Sequence, residues 1–219
     1  MIKRIGHDSK VGCVLQTNRR DHFPQDRSAF NQKITNYEST WNLNGRYFDG
    51  VGDYVDAGND ASLNFGTNSF AVSIWLNLNG KSSISTILIG NEWHNNYALT
   101  GWLIGESGVI WIQLKDGING MNIESGQYIL NKWTHYTWVI ERNASGTRVL
   151  RYENGVLKHT SSFAAVSGSF NNANPIEFYN HNAPFNKSCL INEVRIYNRA
   201  LSPAEISRLY LRRKPCLGA

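Results

Sequence analysis

The stretch Leu190–Tyr210 (LINEVRIYNRALSPAEISRLY) constrains the fold more than any other part of this chain, because a strand, a turn and a helix can each be read from its local chemistry. In Leu190–Asn198 the side chains alternate between two faces, which is the period of a half-buried strand. One face carries Leu190, Val194 and Ile196, and the other carries Glu193, Arg195 and Tyr197. The pattern predicts a strand that is followed closely by a helix.

A capping sequence marks the start of that helix. Ser202 can accept a hydrogen bond from the backbone N–H of Glu205, while the Glu205 side chain can reach back to the cap. Leu201 can pack on Ile206 across the first turn. The sequence therefore predicts a short helix that begins at this cap, carries one apolar stripe and ends near Tyr210.

Short alternating runs separated by turn residues follow one another from Trp41 onward, a spacing typical of a sandwich or barrel rather than of β-α-β units. The predicted strands are Arg46–Val55, Ser69–Leu78, Ser85–Ile89, Trp102–Gly105, Val109–Leu114, Trp133–Glu141 and Val149–Glu153. Asn154-Gly155 stands between two such runs and predicts a tight hairpin. Trp133–Glu141 carries apolar or aromatic side chains on both faces, so we predict a central strand that is covered on both sides.

Charge and hydropathy limit the possible partners. The net charge is +5, but the body is near neutral and the excess of basic residues lies at the two ends. No basic stripe with interleaved aromatic residues occurs, so nucleic acid is not expected as a partner. No apolar run is long enough to span a membrane and no secretory signal is visible, which favours synthesis in the cytoplasm without a membrane anchor.

The periodicity and polarity of the sequence divide the chain into three parts. Residues 1–40 lack sustained periodicity and are rich in polar side chains, so they are predicted to form an extended N-terminal arm. The arm either lies along its own domain or is held by a neighbouring subunit, and the second alternative is our hypothesis. Residues 41–211 are predicted to form the sandwich and residues 212–219 a basic tail. Three distant cysteines, Cys13, Cys189 and Cys216, favour free thiols over a disulfide or a metal site.

Four segments, in this order, carry a resemblance to a known family: NGRYFDGVGDYVDAGN, SFAVSIWLNLNG, NKWTHYTWVIERNASGTRVLRYENGVL and LINEVRIYNRALSPAEI. They resemble the successive blocks of laminin-G-like domains in the concanavalin A-like lectin/glucanase superfamily. The resemblance runs from about Leu43 to Tyr210. It implies an all-β, concanavalin A-like jelly-roll sandwich of two antiparallel sheets. The strand spacing, the hairpin and the single late helix agree with this fold class.

The resemblance also implies a candidate structural calcium site. Many members of the family bind Ca²⁺ near the Asp-Gly region and an aspartate of the late strand, and Ca²⁺ prefers hard oxygen ligands. Here the corresponding residues are Asp49 and Asp53, with Asn192 where the late aspartate is expected. The amide oxygen of Asn192 can still bind the ion, at the loss of one formal charge. In the alternative interpretation, the two carboxylates bind loop N–H groups and Asn192 bridges strands.

Two stretches combine aromatic rings, which stack on sugar faces, with side chains that form planar hydrogen bonds to hydroxyl groups. The candidate glycan-binding residues are Trp93, His94, Asn96, Tyr97, Tyr179, His181 and Asn182. The alternative is that these aromatic residues belong to the core and that the asparagines are ordinary turn residues.

Catalysis is the least supported function class. Glucanases of this superfamily carry a Glu-x-Asp-x-x-Glu arrangement on one strand, and no such spacing occurs here. The histidines stand without a nucleophile partner or metal-ligand spacing. We therefore expect a protein that is not an enzyme.

Two hypotheses about function follow. In the first, the chain is a structural or interaction protein of a bacteriophage virion, such as a capsid decoration, tail or fibre protein, which is made in the host cytoplasm and joined to neighbouring subunits by its arm. In the second, the chain is a carbohydrate-binding module that recognises cell-surface or extracellular glycans. The two overlap, because a virion protein can bind host glycans.

Overall fold

A computed structural model describes residues 11–16, 25–26, 30–42, 45–80, 85–92, 100–179 and 187–217, with the backbone alone described for 11–16, 25–26 and 213–217. Two antiparallel sheets face each other and one helix follows the last strand. This architecture confirms the predicted fold class, a jelly-roll sandwich. Within the described ranges, no helix is long and apolar enough to cross a membrane.

The first sheet has nine strands and the second has seven. The nine-stranded sheet runs in the order β14 (Val156–Phe163), β13 (Gly146–Glu153), β12 (Thr134–Asn143), β7 (Phe70–Leu78), β16 (Cys189–Tyr197), β1 (Val11–Gln16) and β2 (Gln25–Asp26), with β5 (Gly45–Phe48) on β16 and β4 (Thr40–Asn42) on β5. The seven-stranded sheet runs in the order β11 (Gly120–Glu124), β10 (Ile110–Lys115), β9 (Gly101–Glu106), β8 (Thr86–Gly90), β15 (Glu177–Phe178), β6 (Tyr54–Asp56) and β3 (Thr35–Tyr37).

Aromatic side chains fill the space between the two sheets. Phe70 of β7 and Trp102 of β9 are fully buried, and their ring centroids lie 5.4 Å apart. Trp138 of β12 and Phe178 of β15 are fully buried in the same core. Each such ring removes a large apolar area from water, so this layer is the main source of the stability of the fold.

The central strand and the hairpin agree with the sequence prediction. β12 pairs with β7 on one edge and with β13 on the other, and its residues from Thr134 to Ile140 are buried. Asn154 and Gly155 join β13 to β14 with φ values of 50° and 80°. Both values lie in the left-handed region that a two-residue turn between twisted strands requires.

The predicted strand Arg46–Val55 is two strands, β5 and β6, which belong to different sheets. Gly50 and Gly52 between them have φ values of 90° and 81°, a conformation that ends an extended strand. A Cβ atom on Gly50 would lie 2.3 Å from the carbonyl oxygen of Lys187, so the backbones approach too closely for any side chain.

The faces of β16 differ from the predicted alternation because the strand contains an irregularity. The register with β7 shifts between Asn192 and Arg195, and Glu193 has a φ of 34°. The shift exchanges the two faces, so Val194 and Ile196 point into the sandwich core as predicted. Leu190 instead packs on the outer face of the sheet, in the cluster that includes Tyr210.

The described parts of residues 1–40 pair with strands of the sandwich, which agrees with the alternative that the N-terminal segment lies along its own domain, and attachment to a neighbouring subunit stays a prediction. β1 pairs with β16, where Val11 lies opposite Tyr197 and Leu15 lies opposite Val194. β3 pairs with β6 at the edge of the seven-stranded sheet. Pairing at a sheet edge uses backbone groups of the added strand, so a segment without apolar periodicity can still join a sheet. Residues 1–10, 17–24 and 27–29 lie outside the described residues.

The helix, α1, spans Pro203–Leu217 and is longer than predicted, so the first part of the predicted tail is helical. The predicted cap is present: the Ser202 N–H donates to Oε2 of Glu205 at 2.9 Å, and the Glu205 N–H donates to the Ser202 hydroxyl at 3.4 Å. Leu201 and Ile206 are buried in one cluster, as the sequence indicated. The basic residues of the last turns complement the negative end of the helix dipole, which favours the extension.

We expect the substitution Glu205→Gln to lower the free energy of unfolding by about 1–2 kcal/mol at neutral pH, because it weakens both the cap and the ion pair with Arg199. Hydrogen bonds from Arg199 and from the Ser202 backbone lower the pKa of Glu205 to about 2. A carboxyl with a depressed pKa stabilises the fold above its unfolded pKa and loses this effect as the pH falls through its folded pKa.

Urea unfolding as a function of pH measures the effect. The difference between wild type and the variant should shrink as the pH falls from about 5 towards 2. Glu124→Gln, at an exposed position of β11, is the matched control and should change stability little. A difference that persists undiminished at acidic pH would contradict the assigned role of the carboxylate.

Candidate ligand-binding site

The loop from β8 to β9 contains the first predicted glycan stretch, and one asparagine holds both of its ends. The Asn172 side-chain amide donates to the carbonyl oxygen of Asn91 at 3.0 Å and to that of Thr100 at 2.5 Å. Gly101, with a φ of 147°, permits this close approach, because a Cβ atom there would lie 2.7 Å from the Asn172 amide nitrogen. The ends of the loop are therefore fixed by a single side chain.

Residues on either side of Asn172 strengthen this arrangement, and we name Asn171, Asn172 and Asn174 the asparagine clamp. Asn174 also donates to the carbonyl oxygen of Asn91, at 3.2 Å. The side-chain oxygen of Asn171 accepts from the Gly66 N–H at 2.6 Å, so the clamp is tied to a second loop. The clamp thus joins loops that leave different strands at one end of the sandwich.

The β10–β11 hairpin lies beside the same loop end. The Asp116 carboxylate accepts backbone N–H groups from its own turn and from the crossing segment at Ser167 and Gly168, at distances of 2.7 to 3.1 Å. Burial acts to raise the pKa of Asp116, but these N–H donors outweigh it and lower the pKa. The hairpin lies close to the Thr100 end of the β8–β9 loop. A Cβ atom added to Gly117 would be 3.1 Å from a methyl group of Thr100.

A buried ion pair lies at the start of the same loop. Lys115 of β10 donates to Oε1 of Glu92, and their side chains are 12% and 1% exposed. Burial raises the pKa of Glu92, while the neighbouring ammonium group opposes that shift. The second oxygen of Glu92 is buried and accepts no hydrogen bond from the described residues.

Most of the predicted glycan residues cannot be placed. Residues 93–99 and 180–186 lie outside the described residues, and with them Trp93, His94, Asn96, Tyr97, His181 and Asn182. The seventh, Tyr179, is a core residue: its side chain is 2% exposed and its ring packs against Phe48 at a centroid distance of 5.2 Å. Its hydroxyl donates to the carbonyl oxygen of Lys187. Tyr179 is therefore removed from the predicted glycan site.

The two predicted glycan stretches also leave their strands in opposite directions. β15 is antiparallel to β8, and Glu177 at its start lies opposite Gly90 at the end of β8. Glu92 follows the end of β8, whereas Tyr179, which follows β15, donates its N–H to the carbonyl oxygen of Leu88 within β8.

The predicted calcium ligands Asp49 and Asp53 accept hydrogen bonds from backbone N–H groups of the loop between β5 and β6. Asp53 Oδ2 accepts from the Asp49 N–H at 2.8 Å, and Asp49 Oδ1 accepts from the Val51 N–H at 2.7 Å. Burial is the main cause that raises the pKa of Asp53, which is 5% exposed. These contacts agree with the alternative interpretation, in which the carboxylates bind loop N–H groups.

Asn192 lies on β16, whereas Asp49 and Asp53 lie in the loop between β5 and β6. It is 2% exposed and pairs with Trp75 of β7, which packs on the outer face of the nine-stranded sheet. The pair Phe48–Cys189, next to Asp49, is three residues away along β16, or about 10 Å. A calcium site formed by Asp49, Asp53 and Asn192 stays a prediction. Among the residues that the structure describes, no group of three or more acidic, histidine or cysteine side chains could hold a metal ion.

The structure reveals one set of surface residues that the sequence analysis missed. Val55 and Phe178 point into the core, so Tyr54, Asp56 and Glu177 lie on the outer face of the seven-stranded sheet. Pairing places Glu177 opposite Asp56 and Tyr54 opposite Tyr37. We name Tyr37, Tyr54, Asp56 and Glu177 the aromatic–acidic face. The alternation in Tyr54-Val55-Asp56 was a visible signal, but the cross-strand partners come from distant segments.

The two tyrosines of this face stack on each other. Their ring centroids are 4.1 Å apart and the ring planes differ by 9°. Burial, a hydrogen bond with Tyr37 and the nearby acidic groups Glu177 and Asp56 raise the pKa of Tyr54 to about 12. The Tyr54 ring is therefore neutral at physiological pH.

A protein-family model described as concanavalin A-like lectin/glucanases superfamily (laminin G type 3) matches residues 49–207. The chain belongs to this superfamily. The match begins after Tyr37 and includes the three other residues of the aromatic–acidic face. No curated protein matches the sequence at a significant level.

Solved structures with the same fold include several toxin domains. The binding domain of Paraclostridial Mosquitocidal Protein 1 has 18% identity and a TM-score of 0.75, over 92% of this chain and 52% of that one. The receptor binding domain of botulinum neurotoxin C/D mosaic serotype has 20% identity and a TM-score of 0.74, over 93% and 51%. The binding domain of botulinum neurotoxin DC in complex with rat synaptotagmin II has 21% identity and a TM-score of 0.75, over 94% and 52%. The chain thus spans about half the length of these structures, and the likeness concerns the fold.

We expect the substitution Asn172→Ala to destabilise the β8–β9 loop and to lower the free energy of unfolding by about 1–2 kcal/mol, because the carbonyl group of Thr100 loses the Asn172 donor and that of Asn91 keeps only Asn174. Hydrogen exchange followed by mass spectrometry should show faster exchange in peptides that contain residues 91–101. Asn122→Ala, at an exposed position of β11, is the matched control. Unchanged exchange around this loop would contradict the proposed role of the clamp.

Proposed function

We propose that this chain is a non-catalytic binding module that recognises glycans at the clamped end of its sandwich and on the adjoining sheet face. The observation that carries the proposal is the asparagine clamp, which fixes both ends of the β8–β9 loop on a fold shared with lectins. A loop that is held at its base loses less conformational entropy when it closes on a ligand. Binding residues in sandwich folds are concentrated in such loops.

The comparisons support a binding role without specifying the ligand. One structural neighbour, a botulinum neurotoxin type C structure with 20% identity, is described as depending for cell entry on interaction with two ganglioside molecules. Another was solved in complex with synaptotagmin II. Recognition of a glycan or protein receptor is thus compatible with this fold, and for this chain we propose the glycan.

Glycoside hydrolysis is the activity to be tested beside glycan binding, because two acidic residues face each other across neighbouring strands. Asp56 and Glu177 are directly opposite on antiparallel strands, where Cβ atoms lie about 4.5–5.5 Å apart. Retaining glycosidases use a neighbouring pair of carboxyl groups as nucleophile and acid/base. The sequence search for paired acids on one strand could not find this cross-strand pair, so hydrolysis must be measured together with binding.

A glycan array with the full chain tests the proposed function. Wild-type protein should bind a defined subset of glycans, and Asn172→Ala should weaken binding to glycans that contact the clamped loop, while Asn122→Ala should not. The array is run with and without Ca²⁺, since calcium binding by Asp49 and Asp53 remains a prediction. Binding to no glycan would contradict the proposal, and turnover of reporter glycosides would contradict its non-catalytic part.

We propose as a second, narrower role that the module is displayed on a phage virion as a capsid decoration, tail or fibre protein. Cys189 supports a protein made in a reducing compartment, because it is a buried free thiol and burial raises its pKa. In this role the N-terminal segment contacts neighbouring subunits, while its described strands β1 and β3 pair with the sandwich. Copurification of the chain with intact particles after density-gradient centrifugation supports this role, and its absence from all particles contradicts it.

A further inference from the structure

We propose that α1 is an acid-released cover, which packs on the outer face of the nine-stranded sheet at neutral pH and opens as the pH falls below about 6, because it lies over His135. This surface is on the other side of the sandwich from the seven-stranded sheet, so the inference does not depend on the proposed glycan-binding function. It gives the binding module a change of surface on acidification.

The helix packs on two apolar clusters of the sheet. The first cluster joins Leu201 and Ile206 to Ala71, Val139, Leu150, Tyr152 and Tyr197. The second cluster joins Tyr210 to Trp75, Trp133 and Leu190. Strand pairing places a polar row between the two clusters, because Thr137 lies opposite Ser73 and Ser73 lies opposite Arg195. Two apolar contacts therefore hold α1 over polar side chains.

His135 lies beside this polar row and is 1% exposed. Its Nε2 is 2.8 Å from the hydroxyl oxygen of Ser73, whereas its Nδ1 is buried without a hydrogen-bond partner. The centroid of its ring is 5.0 Å from that of Trp75 and 6.2 Å from that of Tyr210. Trp75 belongs to the sheet and Tyr210 belongs to α1, so displacement of the helix lets water reach the imidazole.

The closed form disfavours a protonated His135. An imidazolium has two N–H donors, and the buried Nδ1 has no acceptor. The neighbouring charge is a second cation, Arg195, whose guanidinium is already paired with Glu193. Burial, and then the positive charge of Arg195, lower the pKa of His135 to about 3.

The other elements around His135 supply no compensating negative charge among the residues that the structure describes. Their side chains nearest the imidazole carry no carboxylate and are Ser73, Trp75, Tyr152, Asn154 and Tyr210. Two carboxylates of these elements have cationic partners of their own: Glu153 of β13 is paired with Arg151, and Glu205 of α1 is paired with Arg199.

The direction of the pH effect follows from linkage. Opening of α1 returns the pKa of His135 towards its ordinary value of 6.5. A group whose pKa is lower in the closed form stabilises that form above its pKa in the open form, and this stabilisation is lost as the pH falls from there. The opening constant of α1 should therefore rise about 10- to 30-fold between pH 7.5 and pH 5. The Glu205 cap weakens mainly below this range, because carboxyl groups in unfolded chains have pKa values of about 4.3.

Hydrogen exchange of the full chain between pH 7.5 and pH 5, followed by mass spectrometry and corrected for the intrinsic exchange rate at each pH, tests the inference. Peptides that contain residues 203–212 should show the 10- to 30-fold rise, at opening constants larger than those of peptides from β9 and β10. A flat profile for α1 would overturn the inference. Opening constants equal to those of β9 and β10 would also overturn it, because α1 would then be lost only with the whole fold.

Two histidine variants identify the titrating group. His135→Gln removes the titration, so the exchange of α1 should no longer change between pH 7.5 and pH 5. His159→Gln, on β14 beside Ser161, is the matched control and should keep the wild-type rise. Circular dichroism shows whether each variant is folded, and the wild-type profile decides the outcome if His135→Gln is not. An undiminished rise in folded His135→Gln would overturn the inference and leave the proposed glycan binding in place.

Discussion

The fold depends on the pairing of β16, the last strand, along both of its edges. One edge pairs with β7 over the whole strand, and the other pairs with β5 near its start and with β1 near its end. Its inward side chains join the sandwich core, while Leu190 and Tyr197 contact the layer under α1. Because every backbone group of a buried strand needs a partner, this strand orders segments from the beginning, the middle and the end of the chain.

The cap of α1 and the asparagine clamp use the same chemistry for different purposes. At the helix, Ser202 and Glu205 satisfy N–H groups that helical geometry leaves free. At the loop end, Asn172 satisfies carbonyl groups that strand geometry leaves free where β8 and β9 part. In both places polar side chains satisfy backbone groups where regular structure ends. At Asn172 the result is a β8–β9 loop whose two ends are fixed.

Sequence reasoning succeeded where the signal was local. Residues close together in the sequence determine three features: the cap at Ser202, the Asn154-Gly155 turn and the strand β12 with both faces covered. It failed where the outcome depended on a distant partner. The irregularity in β16 places Leu190 and Val194 on opposite faces of the sheet, and Tyr179 lies in the core although it was predicted to bind glycan. The edge strand β3 carried no apolar period, because edge pairing is made by backbone groups.

By itself, the sequence determined the fold class, because alternation, turn residues and capping act over a few residues and do not require knowledge of the rest of the chain. Only the tertiary structure decided which polar groups share a surface. Tyr37 stacks on Tyr54, and Asp56 lies opposite Glu177, because sheet order places β3, β6 and β15 side by side. Sheet order is set by long-range pairing and by the packing of the core. The spacing of residues along one strand therefore does not predict the order of the strands.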